Sequence, residues 1–135
     1  MILSAPATLL TGLVTLVAIL ITVGTAVLVA RVRTIAGVHP PAMSGDPRVE
    51  RALRVQGNTM EGFIAFLPAL WLAAIYFQGW IPPIIGLVWC LGRIVYFFVY
   101  GSAKQRFPGF APTIFPSLIL IVLAIIGLVG AFSAS

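Results

Sequence analysis

Arg51, Arg54, Asn58 and Glu61 recur at intervals of three, four and three residues, so on a helix their side chains share one face. That polar face runs into Phe63 to Phe77, a stretch without a charged residue. Glu61 therefore stands where a bilayer would begin, and an unpaired carboxylate there is costly. Arg93, Tyr96 and Tyr100 repeat the interval of three then four in a second apolar stretch. Together the two faces offer guanidinium, carboxylate, amide and phenol groups. Such a set suits a small ligand with carboxylates and an ammonium group, because arginine holds a carboxylate through two parallel bonds and Glu61 accepts from the ammonium. Plainer readings stand beside this one. Arg51 and Arg54 suit solvent or lipid headgroups, Glu61 suits neutralising an arginine, and Arg93 suits a salt bridge to Glu61 or a bond to a carbonyl. Tyr96 and Tyr100 suit an interfacial aromatic belt.

The elements that must position these residues follow from composition. Apolar residues make up 61% of the 135 and charged residues 8%, more apolar surface than a water-soluble domain of this length could hide. A bilayer-spanning helix needs roughly 20 apolar residues. Ala7 to Ala30, Phe63 to Phe77 with its flanks, Ile84 to Tyr100 and Ile114 to Phe132 meet that test. The expectation is an all-α integral membrane protein, a four-transmembrane-helix bundle in one domain, 1–135, with spans at about 7–30, 60–78, 83–101 and 113–132. The first span lacks a basic leading region and is longer than a signal peptide's apolar core, so it reads as a retained helix.

The net charge of +5 is no nucleic-acid patch once the charges are located. Arg31, Arg33, Arg48, Arg51 and Arg54 lie between spans one and two, and Lys104 and Arg106 after span three. The positive-inside rule puts both connections in the cytoplasm and both termini, with the Gln78 to Pro83 turn, away from it. Small size and the lack of sorting signals favour a bacterial inner membrane over endoplasmic reticulum.

Gly37-Val38-His39-Pro40-Pro41 cannot continue the first helix, and His39 reads as a loop residue. Asp46 as N-cap, Pro47 at the first helical position and Glu50 in the first turn predict a second helix starting well outside the bilayer. From Pro47 to Phe77 that helix would measure roughly 45 Å at 1.5 Å per residue, with Pro68 expected to kink it or to cost a backbone bond. If spans two and three pack as a hairpin turning near Trp80, Glu61 lies level with Tyr100, and both polar faces line one cleft open to the cytoplasm. Span four, without ionisable residues, reads as scaffold in which Gly127 and Gly130 allow close contact. Trp71, Trp80 and Trp89 read as belt or packing residues, and Cys90 as a buried apolar side chain. Three carboxylates, no zinc-ligand cluster and no phosphate-binding glycine motif leave no expected metal site or soluble-enzyme chemistry.

The string from Glu50 to Phe63, followed by Phe66-Leu67-Pro68-Ala69-Leu70-Trp71, resembles the helix-two signature of the MAPEG family, the membrane-associated proteins in eicosanoid and glutathione metabolism. Gly92-Arg93-Ile94-Val95-Tyr96-Phe97-Phe98-Val99-Tyr100 resembles its helix-three motif. The resemblance covers nearly the whole chain and implies a homotrimer with glutathione bound between subunits near the cytoplasmic face. It implies glutathione contacts from Arg54, Asn58, Glu61, Arg93, Tyr96 and Tyr100, with Arg51 on the same stripe and Arg33 as a basic residue at the end of helix one. It also implies that Arg106, with Tyr100, favours the glutathione thiolate. An ungapped alignment with leukotriene-forming members puts the activating arginine at Phe107, one residue past Arg106. Gly62 and Thr34 depart as well, standing where those members carry a tyrosine and a second arginine. The helix-three pattern is closer to the microsomal glutathione transferase type.

The function so implied is a membrane glutathione transferase or peroxidase acting on lipophilic electrophiles, with glutathione as cosubstrate and the bilayer as the route of the second substrate. A non-catalytic lipid-binding or scaffold member of the family is the alternative. A small four-span transporter coupled through Glu61 ranks third, because neighbouring arginines would hold that carboxylate ionised.

Overall fold

The computed structural model describes residues 5–100 and 111–135. Helix α1 spans Pro6–Ala36, α2 Pro47–Leu72, α3 Ile81–Val99 and α4 Ala111–Ser133; a π-helical turn, Ala73–Phe77, continues α2. Each is long and apolar enough to cross a bilayer, so the chain is an all-α, multi-pass integral membrane protein.

Local chemistry sets the helix limits. Asp46 is extended at φ −149° and its carboxylate accepts from the Arg48 backbone N–H at 2.8 Å, while Pro47 opens the first turn, the cap expected from the sequence. Helix α1 runs six residues past Ala30 because its backbone bonds continue beyond the apolar stretch. It ends where Gly37 turns left-handed at φ 66° and the Val38 N–H donates to the Arg33 carbonyl at 3.1 Å. Helix α2 continues through Pro68 to Leu72, and the departure from α-helical geometry comes one turn later, at the π-turn.

Helix α1 packs on α2 and α3, and α4 packs on α2, α3 and the π-turn. Helices α2 and α3 approach each other far less, so they face across the diagonal of a square and not as the adjacent hairpin read from the sequence. Large side chains fill the core across that diagonal. Phe66 of α2 and Trp89 of α3 stack at 4.1 Å with planes 6° apart, and Val14, Ala18, Ala69, Leu70, Cys90, Leu120 and Ala124 complete the buried core around them. Trp71 Nε1 donates to Thr15 Oγ1 at 3.1 Å and ties α2 to α1. The outward faces stay apolar: Leu9, Leu13 and Leu20 are exposed, as lipid-facing side chains are.

Gly127 of α4 lies directly against the backbone of Tyr76 and Phe77, the close contact expected of it. Gly130 has nothing nearby and makes no such contact. Close packing on a π-turn, which presents a wider backbone than an α-turn, requires a neighbour without a side chain.

Candidate functional site

The polar faces of α2 and α3 meet across the diagonal. Asn58 Nδ2 donates to the Tyr96 hydroxyl at 2.7 Å, and the Tyr96 and Tyr100 rings lie 5.0 Å apart, inclined at 50°. One turn deeper, the Arg93 guanidinium sits between two rings, with Cζ 5.4 Å from the Trp89 centroid and 5.5 Å from that of Tyr96. Its far end lies against Gly62 of α2. Asn58 is thus level with Tyr96 and Gly62 with Arg93, which places Glu61 beside Arg93 instead of level with Tyr100. The hairpin reading failed because it centred the turn on Trp80. The π-turn already takes up residues just before it.

A half-open cavity of about 230 Å³ lies beside them, lined by Asn58, Glu61, Gly62 and Ala65 of α2, Arg93 of α3, and Thr113, Ile114 and Ser117 of α4. Arg93 is 4% exposed, yet its Nε has no hydrogen-bond partner. Trp89 Nε1 is also buried without one, but Trp89 does not line the cavity. Glu61 is exposed and makes no ion pair among the described residues; the ion pair found there is Arg48 with Asp46 at 2.8 Å. The salt bridge between Arg93 and Glu61 that the sequence left open is therefore not made. Arg93, whose buried Nε has no partner, and Glu61, unpaired among the described residues, line one small cavity, which offers a guanidinium to an anionic group beside a carboxylate for a cationic one.

The remaining sequence-picked residues are dispersed. Arg54 is exposed on the same face, within electrostatic reach of the Tyr96 hydroxyl, and Arg51 is half-buried a turn further out. Neither lines the cavity. Arg33 Nη1 donates to the Ala42 carbonyl at 2.6 Å and fastens the end of α1 to the connection before α2. Arg106, and Lys104 with it, lie outside the described residues. Among the described residues no three His, Cys, Asp or Glu side chains come together as a metal site would require.

A model of the MAPEG family matches residues 10–126. The chain belongs to the MAPEG family. A protein of Synechocystis sp. with no assigned function is 43% identical over 121 residues, covering 89% of this chain and 85% of that one. Human microsomal glutathione S-transferase 2 is 36% identical over 96 residues, covering 70% of this chain and 65% of that protein, a little under two thirds of its length. Guinea pig leukotriene C4 synthase is 35% identical over 120 residues, 88% of this chain and 80% of that one.

In this MAPEG chain the sequence reading missed the α4 wall. Thr113 and Ser117 are both buried, the Ser117 hydroxyl donates to the Thr113 carbonyl at 3.1 Å, and both residues line the cavity. The signal was present as two hydroxyl residues four apart on an otherwise apolar helix, a spacing that puts them on one face.

Proposed function

We propose that this protein is a membrane glutathione transferase, with glutathione peroxidase activity as its variant, acting on lipophilic electrophiles. The observation that carries the reading is that Arg93, whose buried Nε has no partner, shares a cavity with Glu61, which is unpaired among the described residues. Glutathione has two carboxylates and one ammonium. Arg93 would hold a carboxylate, Glu61 would accept from the ammonium, and Asn58 with Tyr96 would orient the peptide between them. The name of one relative, a glutathione S-transferase, supports the same ligand class.

The cavity of about 230 Å³ holds only part of a tripeptide, so the remainder must reach outward. Arg51, Arg54 and Tyr100 lie along that outward path, and Arg33 completes the site from a neighbouring subunit of a homotrimer. Bound glutathione supplies a sulfur nucleophile. A free cysteine thiol ionises near pH 8.5, so a positive charge or phenol beside the sulfur is needed for thiolate at neutral pH. Arg106 and Tyr100 are the residues assigned to that task. The site faces the cytoplasm of a bacterial inner membrane, with both termini on the other side, and the lipophilic substrate arrives from the bilayer between the helices.

Purified protein in detergent or nanodiscs, given glutathione and either an aryl halide or a lipid hydroperoxide, should turn over, and an Arg54→Ala, Glu61→Ala double variant should not. Equal rates for the two proteins would refute the assignment. Fatty-acid binding without glutathione binding by calorimetry would point instead to a lipid-binding member of the family.

A further inference from the structure

The glycines of α2 occupy different surroundings. A Cβ added at Gly57 would meet nothing within 4 Å. One added at Gly62 would overlap Arg93, with Nη2 closest, Cζ at 3.2 Å and Nε at 3.6 Å. Glycine in a helix interior weakens the helix, so its place there needs a reason. At Gly62 the reason is visible. Helices α2 and α3 stand across the bundle diagonal, and the Arg93 side chain bridges that gap to lie over bare α2 backbone, one residue from Glu61.

Two rings of α3 flank the guanidinium away from Gly62. The rings of Trp89 and Tyr96 hold its Cζ at 5.4 and 5.5 Å, and Trp89 is itself fixed by its stack on Phe66. The atom a Cβ would meet is the far end of a flexible side chain, not backbone. A methyl group at position 62 therefore displaces the guanidinium and leaves the helices in place.

We propose that Gly62 is a positioning residue: by leaving the α2 backbone bare it sets the Arg93 guanidinium in the cavity beside Glu61, where it takes the anionic group of the ligand. The identification of that ligand as glutathione rests on the function proposed above; the placement of Arg93 does not.

The test uses the full-length protein in nanodiscs, with Gly62→Ala compared against Gly57→Ala on the same helix. Two readouts are followed, the glutathione dissociation constant by calorimetry and the Arg93 Nε–H resonance in protein carrying ¹⁵N-labelled arginine, assigned by its loss in Arg93→Ala. Gly62→Ala should move the resonance and weaken binding about tenfold or more, the scale of one lost hydrogen bond to a charged group. Its thermal midpoint should not fall, since alanine favours the helix. Gly57→Ala should leave resonance and affinity unchanged. On an Arg93→Ala background, Gly62→Ala should cost no further affinity, whereas a general distortion of the site would add to the loss. An unmoved resonance in Gly62→Ala overturns the positioning role whatever the wild type binds, as does a moved resonance with undiminished glutathione affinity. A wild type that binds no glutathione defeats the functional reading alone, and a moved resonance then still supports the placement of Arg93.

Discussion

Asn58 Nδ2 donates to the Tyr96 hydroxyl at 2.7 Å across the bundle diagonal, the one direct hydrogen bond between the two polar stripes among the described residues. Because that oxygen accepts from Asn58, its own proton is free to point at a ligand. Tyr96→Phe removes both functions and leaves the half-buried amide without its acceptor, while Asn58→Ala removes the orienting bond and keeps the phenol. The expected order of glutathione affinity by calorimetry is wild type, then Asn58→Ala, then Tyr96→Phe. Asn58→Ala should lose about 0.5–1.5 kcal/mol, the usual net worth of one hydrogen bond.

Periodicity alone placed Arg51, Arg54, Asn58 and Glu61 on one face, and Arg93, Tyr96 and Tyr100 on another, because helical spacing and the cost of buried charge are local properties. The α2 start was legible for the same reason, since Asp46, Pro47 and Glu50 carry the cap in adjacent residues. Which helices would be neighbours was not. That depends on side-chain volumes summed over the whole bundle, and the Phe66 and Trp89 stack that spaces α2 from α3 joins residues far apart in sequence. The π-turn was equally hidden, because Ala73–Phe77 contains no glycine or proline to signal it. Gly62 was noticed only as a departure from relatives that carry tyrosine, and its partner was visible only once Arg93 had a position.

The start of α2 should be acid-sensitive. Hydrogen bonds from the Arg48 side chain, and then from its backbone N–H, hold the Asp46 carboxyl down at about 2, against an ordinary value of 3.8. A carboxyl with a depressed folded-state pKa contributes stability above its unfolded value, and that contribution disappears as pH falls through the folded one. Hydrogen exchange at Val49 and Glu50, whose N–H groups donate to the Asp46 carbonyl, should be unchanged from pH 7 to about 4 apart from the intrinsic rate. Protection should then decline toward pH 2. In Asp46→Ala the decline should be absent, with low protection throughout.

Gly127→Ala should destabilise the bundle, and Gly130→Ala should not. A Cβ at position 127 would overlap Tyr76 and Phe77 backbone and stand 2.7 Å from the Tyr76 carbonyl oxygen. Backbone cannot rotate aside as the Arg93 tip can, so α4 must shift away from the π-turn. Overpacking of this kind typically costs about 1–3 kcal/mol. The thermal midpoint in a fixed detergent should fall for Gly127→Ala and hold or rise for Gly130→Ala, which meets nothing within 4 Å.

Arg93 and Glu61 should contribute to ligand binding independently. Two charges that served only to neutralise each other would be strongly coupled, because losing either would strand the other. No ion pair joins them in the structure, and each lines the cavity with its own unused capacity. Arg93→Lys keeps a charge but loses the planar fork and its fit between the Trp89 and Tyr96 rings, so it should weaken glutathione binding by about 1.5–3 kcal/mol. Glu61→Gln keeps an acceptor and loses the charge, and should weaken binding by a smaller amount. In the double variant the coupling energy should stay at about 1 kcal/mol or below, less than the two halves of an ion pair typically show. A coupling energy well above that would mean the pair bridges when the site is filled, and the assignment of opposite ends of the ligand to the two residues would fail.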